Sequence, residues 1–367
     1  MAQSVYIHIP FCRSKCYYCS FVSYPKPELE SRYLDSLKKE ILAVYKNEPL
    51  KTLYFGGGTP SLLSADEFRS ITELFNISSN TEVTTELNPE GYNKNGLETE
   101  YFKELIDAGI NRVSIGAQTF DDKILKLINR RHDSLQIIKA VNNAKISGFD
   151  NISLDFIYGL PTQSEKMFTD DLKKACDLGV KHISLYGLSI EEGCYFYKNT
   201  PQNLPDDDLQ ADMYLSAVDL LKENGFEHYE FSNFAQKGFE SRHNLNYWNN
   251  REYYGFGPAS HGYLDGKRYS HSTSVEEYIN NPLYIIEELS ETQKNKLEEE
   301  IFLGFRKMSG IDVDFINQKY NINFCAKYEK IIDKYISSGF MKKTSKGYAL
   351  TPKGVLISNT ILAEFLD

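Results

Sequence analysis

Nowhere in its 367 residues does the chain reach the roughly 18 consecutive apolar residues that a membrane-spanning helix requires. Met1 to Cys12 offers no basic leader, no long apolar stretch and no small-residue cleavage site, so no export signal is expected and the cytoplasm is the expected compartment. Positive charge is also short. Against 51 Asp and Glu stand 41 Lys and Arg, giving a formal net charge of −10, and no dense Lys/Arg stripe offsets the deficit. Such a surface repels a phosphate backbone, which argues against nucleic acid as a partner and for a small or apolar ligand. Low-complexity tracts and repeats of solenoid period are absent. Cysteine is sparse: six residues, three crowded between Cys12 and Cys19 and the others scattered at Cys176, Cys194 and Cys325. That is the wrong distribution for a secreted disulfide framework and suits a metal cluster in a reducing compartment.

What is present is an ordinary globular composition, 41% hydrophobic and 25% charged, with length enough for one large domain and a smaller one. Short β-rich runs at 5–9, 52–55, 83–87, 112–115, 152–157 and 181–186 alternate with helical patterns at 32–45, 65–75, 100–108, 122–128 and 134–147. Strand then helix, repeated about six times, implies an α/β fold with a parallel sheet and right-handed crossovers. A doubly wound sheet and a complete or partial barrel both meet that rhythm. The unusual residues separate them. The cysteines follow the first strand, Gly56-Gly-Gly58 closes the second, Glu86 the third, Gln118 follows the fourth and Asp155 sits late in the fifth. Strand ends of a barrel share one mouth, where residues distant in sequence converge on one ligand; a doubly wound sheet gathers only those near its switch point. A barrel is therefore expected over 1–231. Residues 232–269, rich in Asn, Gly, Tyr and Phe, lack helical or strand periodicity over most of their length and read as part of a connector spanning 232–283. Short helices are expected from 284 to the end, with a hairpin around 343–349 and a last helix over 354–366, a small helical domain of winged-helix character.

Cys12-Arg-Ser-Lys-Cys16-Tyr-Tyr-Cys19 places three thiols on a loop directly after a strand and the Pro10 bend. Structural zinc wants four ligands, and no second Cys or His pair follows at finger spacing; an iron–sulfur cubane held by three thiolates keeps one iron open. Cys176 lies on the apolar side of a helical run, while Cys194 and Cys325 have no spaced partners. Leu53-Tyr-Phe-Gly-Gly-Gly-Thr-Pro60 runs a strand into three glycines, removing the Cβ atoms where a ligand would approach backbone groups, although a tight turn also uses glycine. Glu86 stands between apolar residues before a Pro break, and Asp155 is a charge inside an apolar strand, where burial demands a partner.

Cys-x3-Cys-x2-Cys in the first loop of a (β/α) barrel resembles the radical S-adenosylmethionine (SAM) superfamily. The resemblance implies a partial (β/α)6 TIM-like barrel, a 4Fe-4S cluster on Cys12, Cys16 and Cys19, and SAM chelated to the open iron through its amino and carboxylate groups. Similar Gly-Gly-Gly-Thr-Pro segments contact the methionine amino group, which points to Gly57, Gly58 and Thr59. Gly116-Ala-Gln-Thr-Phe120 and Asn129-Arg130 are similar to the pattern of the coproporphyrinogen dehydrogenase and HemW branch, carrying a SAM role to Gln118 and Arg130, beside Glu86 and Asp155. Tyr6, in Tyr-Ile-His-Ile-Pro-Phe-Cys12, and Tyr18, just before the third cysteine, occupy aromatic positions that the branch packs against SAM, with plain core packing an equal alternative. His8 shares the face of Tyr6 and reads either as pocket lining or as a structurally satisfied histidine.

That branch contains both an enzyme and a carrier. The oxygen-independent coproporphyrinogen III dehydrogenases usually have a fourth cysteine two positions after the third, where this chain reads Cys19-Ser-Phe21, and an N-terminal extension, where this chain begins at its first strand. Arg242-His-Asn-Leu-Asn-Tyr-Trp248 resembles the His-Asn-x-x-Tyr-Trp segment of HemW-type heme chaperones. The resemblance thus implies a heme-binding protein that hands heme to acceptor hemoproteins and is more carrier than enzyme, with the dehydrogenase as the alternative and a homodimer left open. A radical SAM activity on an unrelated substrate is a third, more distant reading. His243 is the first candidate for an axial heme ligand and His261 the second; the competing reading has His243 holding the Asn-rich connector against the barrel mouth.

Overall fold

The computed structural model describes residues 1–91, 96–290 and 292–366. Six parallel strands carry the fold: β1 (Ser4–Ile9), β2 (Thr52–Gly57), β3 (Glu82–Leu87), β4 (Arg112–Gln118), β5 (Asn151–Tyr158) and β6 (His182–Gly187). Helices α1 (Glu30–Val44), α2 (Ala65–Thr72), α3 (Thr99–Asp107), α4 (Asp122–Leu127), α5 (Ser134–Ser147) and α6 (Glu165–Asp177) return the chain between them, as parallel pairing requires. Local sequence sets their ends. Ser64 and Glu67 form a capping box for α2, Asp133 and Gln136 another for α5, and Gly148, at φ +109°, closes α5 in the left-handed conformation. Val5, Ile7, Leu53, Phe55, Val113, Ile115, Leu154 and Phe156 are fully buried in the main core.

The partial barrel expected from the sequence is the observed fold, but its sheet is wider than six strands. After α7 (Tyr195–Lys198) and α8 (Asp207–Glu223) come β7 (Glu227–Glu230) and β8 (Asn233–Ala235), of which β8 pairs antiparallel with β6. Helix α9 (Arg242–Trp248) follows, then β9 (Tyr254–Phe256), which pairs parallel with β1 at the opposite edge. The order is β7-β8-β6-β5-β4-β3-β2-β1-β9. The segment read as lacking periodicity is therefore largely regular structure. The connector also holds β10 (His261–Leu264), β11 (Lys267–His271) and α10 (Val275–Asn280), and β12 (Ile285–Ser290), just beyond it, joins β10 and β11 in an antiparallel sheet. Strands of three to six residues are too short to display a period. The usable signal was Asp265-Gly266, both at positive φ, a two-residue hairpin turn between β10 and β11.

Helices resume at α11 (Gln293–Phe305), not at 284, where β12 lies instead. With β13 (Ile311–Asp312), α12 (Val313–Tyr320), α13 (Phe324–Ser337), β14 (Met341–Lys343) and β15 (Gly347–Leu350) they form a winged-helix-like unit around its own core of Ile301, Phe305, Phe324, Tyr328 and Phe365. The expected hairpin is β14–β15. The expected last helix is two, α14 (Pro352–Leu356) and α15 (Ser358–Ala363), because Ile357 leaves helical geometry at φ −115°. No helix among the described residues is long and apolar enough to cross a membrane.

Candidate cluster and cofactor site

A TIM barrel normally fills its interior with layers of branched apolar side chains. Here the positions alternating with that apolar face are polar. Tyr54, Glu86, Arg112, Ser114, Asp155, His182, Ser184 and Tyr186 line a cavity of about 410 Å³ that opens among Cys12, Cys16 and Cys19 and reaches down to Asn244. The interior is thus a chamber.

The cysteine loop is fastened on three sides. Backbone bonds from Cys12 N to Tyr24 O (3.1 Å) and from Tyr24 N to Pro10 O (2.8 Å) close its base. Tyr17 N donates to Ile128 O (3.1 Å), and Phe196 N donates to Tyr17 O (2.9 Å). Asn129 Nδ2 donates to Lys15 O at 2.9 Å. Burial pushes the Cys12 thiol up, and it pushes Cys19 up to about 11, so these two thiols keep their protons until a metal competes for the sulfur. Arg130 supplies the opposite pull. Its Nη1 lies 3.6 Å from Cys16 Sγ, its Nη2 donates to Asn88 Oδ1 (2.8 Å) and Gly116 O (2.7 Å), and its buried Nε has no partner. Among the described residues no three His, Cys, Asp or Glu side chains are close enough to share one metal ion. Three thiols without a fourth protein ligand suit a cubane better than a structural zinc. The donor set, the cationic Arg130 and the adjoining chamber fit a 4Fe-4S cluster and SAM. Cys176, half-buried on α6, Cys194, buried before α7, and Cys325, exposed on α13, stand outside the cavity lining.

The structure brings most of the sequence candidates together. Gly57, Gly58, Thr59, Tyr18, Glu86, Gln118, Arg130 and Asp155 all line the chamber with the cysteines. Tyr54 OH donates to Glu86 Oε1 at 2.8 Å, and burial lifts the Glu86 carboxyl to about 7. Asp155 accepts from Ser114 Oγ at both oxygens (2.9 Å each) and from Ser153 Oγ at 3.1 Å; burial still raises its carboxyl. Gln118 is held at φ +67°, where β4 loses register with β5. Tyr6 is not in the lining: it stacks 6.2 Å from Tyr54, and its hydroxyl lies 3.1 Å from His8 Nδ1. His8 Nε2 in turn donates to Val22 O at 2.8 Å, the structurally satisfied reading for that residue.

The glycines serve the protein's own packing as well as the chamber. A Cβ on Gly58 would stand 2.5 Å from Phe11 O, and one on Gly57, at φ +111°, 2.7 Å from the His8 ring. Gly58 N donates to Ile9 O at 2.8 Å, so the close approach is between β2 and the base of the cysteine loop. Gly57→Ala is expected to cost about 1–3 kcal/mol through the forced left-handed backbone and the His8 clash. Chemical denaturation should show that loss together with poorer cluster incorporation.

His243, the first sequence candidate for an axial heme ligand, is engaged on all sides by the protein itself. It is 1% exposed and stacks on Tyr54 with ring centroids 5.0 Å apart. Its Nδ1 lies 2.8 Å from Thr52 Oγ1 and its Nε2 2.8 Å from Tyr247 OH, leaving neither nitrogen for iron. Nor is it near the mouth. Thr52 and Glu82 begin their strands, and Glu82 accepts from the backbone N–H groups of Arg242 and His243 at 3.0 Å each, so α9 closes the chamber floor opposite the cysteines. The other end of the segment reaches the C-terminal unit: the Arg306 guanidinium lies 4.7 Å from the Trp248 ring and 5.3 Å from Phe231. His261 is exposed at the start of β10 and does not line the chamber. Sequence reasoning missed Arg112, Ser114, Ser184 and His182. Arg112 could have been found, since it is a charge opening an apolar strand, the same signal that marked Asp155.

A parallel partial barrel with three thiols at the strand ends above a polar chamber defines the radical SAM class, and residues 6–175 match the radical SAM superfamily model while residues 292–357 match the HemN C-terminal domain. Membership implies a 4Fe-4S cluster and SAM, which together supply a reducible cluster with one open iron. The chain belongs to the HemW family. It is 38% identical over 375 residues to the heme chaperone HemW of Lactococcus lactis, covering 99% of this chain and 97% of that protein, and 34% identical to the heme chaperone HemW of Bacillus subtilis, covering 99% of each. Coproporphyrinogen III oxidase (HemN) from Escherichia coli has the same fold, with a TM-score of 0.86 over 100% of this chain and 90% of that one, at 21% identity.

Proposed function

We propose that this protein is a heme chaperone that binds heme, holds a 4Fe-4S cluster and SAM, and passes heme to acceptor hemoproteins in the cytoplasm. The observation that carries the reading is the end-to-end likeness to the heme chaperone HemW of Lactococcus lactis at 38% identity. Cys12, Cys16 and Cys19 hold the cluster; Tyr18, Gly57, Gly58, Thr59, Glu86, Gln118, Arg130 and Asp155 surround SAM. Tyr6 supports that wall through Tyr54. The absence of a cysteine at Phe21 agrees with the carrier reading. Residues 1–231 form the barrel unit, assisted by β8 and β9 from the connector 232–283, whose β10–β11 sheet also takes in β12, and the elements from α11 onward form the unit pinned by Arg306.

The second reading, oxidative decarboxylation of porphyrinogen propionates, draws on one observation: the polar chamber beneath the cysteines is fully formed. Hemin titrated into the anaerobically prepared full chain should give a shifted Soret band saturating at one equivalent. No Soret shift, together with SAM-dependent conversion of coproporphyrinogen III, would replace the carrier with the enzyme.

A further inference from the structure

The lower half of the barrel holds a charge that no protein group neutralises by contact. Arg112 opens β4, is 2% exposed and lines the chamber. Its Nε is sealed from solvent without a partner, and its side chain forms no hydrogen bond or ion pair with any described residue. A guanidinium buried in this way is costly unless something pairs with it.

The surrounding groups are committed elsewhere. The Asp155 carboxylate is taken up by Ser114 and Ser153, and Glu86 by Tyr54. His182 lies 2.8 Å from both Ser153 Oγ and Tyr229 OH, one on each ring nitrogen, and His243 is likewise saturated by Thr52 and Tyr247. Burial holds both imidazoles neutral, so they add no positive charge. Asn244, on the floor helix, also lines the chamber, and its side-chain amide has no hydrogen bond to a described residue. The chamber thus offers a planar fork of N–H donors with full positive charge and, elsewhere on its lining, a free amide. A carboxylate matches that fork with two parallel bonds. The two carboxylic side chains higher on the wall, Glu86 and Asp155, oppose a ligand of greater negative charge.

We propose that the lower half of the barrel is a binding chamber for a small organic monocarboxylate, gripped by Arg112, with Asn244 also on the lining, below the cysteines. The inference goes beyond heme carriage: it assigns Arg112 to a carboxylate, a group that porphyrin propionates share with a free small acid, and the free acid is the ligand tested.

The test uses the full chain with its cluster reconstituted anaerobically, titrated with carboxyl-¹³C-labelled propionate and followed by NMR, with propionamide as a neutral probe of the same shape. Propionate should give a saturable shift and propionamide none. Arg112→Gln should weaken propionate binding at least about tenfold, the scale of one lost charge-assisted pair. Arg112→Lys, which keeps the charge and loses the fork, should fall between. Unsaturable propionate, or equal binding of propionamide, overturns the proposal. Should Arg112→Gln fail to fold, Arg112→Lys decides: undiminished affinity there rejects the site. Hemin titration of the same variants reports heme carriage separately, so either reading can fail alone.

Discussion

Changing any one of Cys12, Cys16 or Cys19 to Ala should reduce bound iron and sulfide to background after anaerobic reconstitution, while Cys176→Ser, Cys194→Ser and Cys325→Ser should leave both unchanged. The expectation follows from geometry. The three loop thiols border the chamber together, and the other three lie on α6, before α7 and on α13. A cubane that begins with three protein ligands has no spare thiol within the described chamber to replace a lost one. Iron and acid-labile sulfide analysis gives the answer with the visible charge-transfer absorption. Cluster retained in the triple Ala variant would sink the radical SAM assignment for this chain. Cluster loss in Cys194→Ser alone would move the site toward α7. Arg130→Gln belongs to the same set and should weaken retention without abolishing it, since Arg130 contributes charge beside Cys16 and no bond to iron.

The barrel was legible because its signals are local and repeated. Five of the six strands, each ending in or followed by residues unsuited to an apolar strand, placed the mouth, and Gly57, Glu86, Gln118 and Asp155 converge there. Arg130 was legible through the motif, though its placement between Cys16 Sγ and the Gly116 carbonyl depends on tertiary structure that spacing does not encode. What stayed hidden belongs to long-range closure. β9 pairs with β1 some 250 residues away in the chain, a contact with no local signature in the three-residue run Tyr254–Phe256. The same closure sets the surroundings of His243, for which the sequence left two readings open. A histidine followed by Asn residues and aromatics resembles a ligand in one dimension, and only the path of the chain to the strand starts reveals that Thr52, Tyr54 and Tyr247 engage it. Glu82 is equally ordinary in sequence, yet it anchors the floor helix at a distance of 160 residues.

His243→Ala should therefore act on the fold before it acts on heme. The substitution removes a fully enclosed ring, opens a void beneath Tyr54 and strands Thr52 Oγ1 and Tyr247 OH without partners, for a loss of about 3–5 kcal/mol. Denaturant midpoints measure it. Titration gives a second signature. Burial, with the nearby Arg112 charge adding to it, holds the His243 imidazole down to about 3 from the ordinary 6.5. The native state thus stays unprotonated where the unfolded chain takes up a proton. By linkage, the stability contributed through this neutral ring is fully present above pH 6.5 and is lost as pH falls from there toward about 3. His243→Gln, which cannot titrate, should show a shallower acid decline than the parent over that window. His8, His132, His182 and His228, which burial also holds down, contribute to the slope that remains. At neutral pH the folded fraction of either variant should bind hemin with the parental Soret position, because no nitrogen of His243 faces a ligand. A variant of unchanged stability that has lost its Soret shift would mean instead that the floor opens and that this imidazole does reach iron.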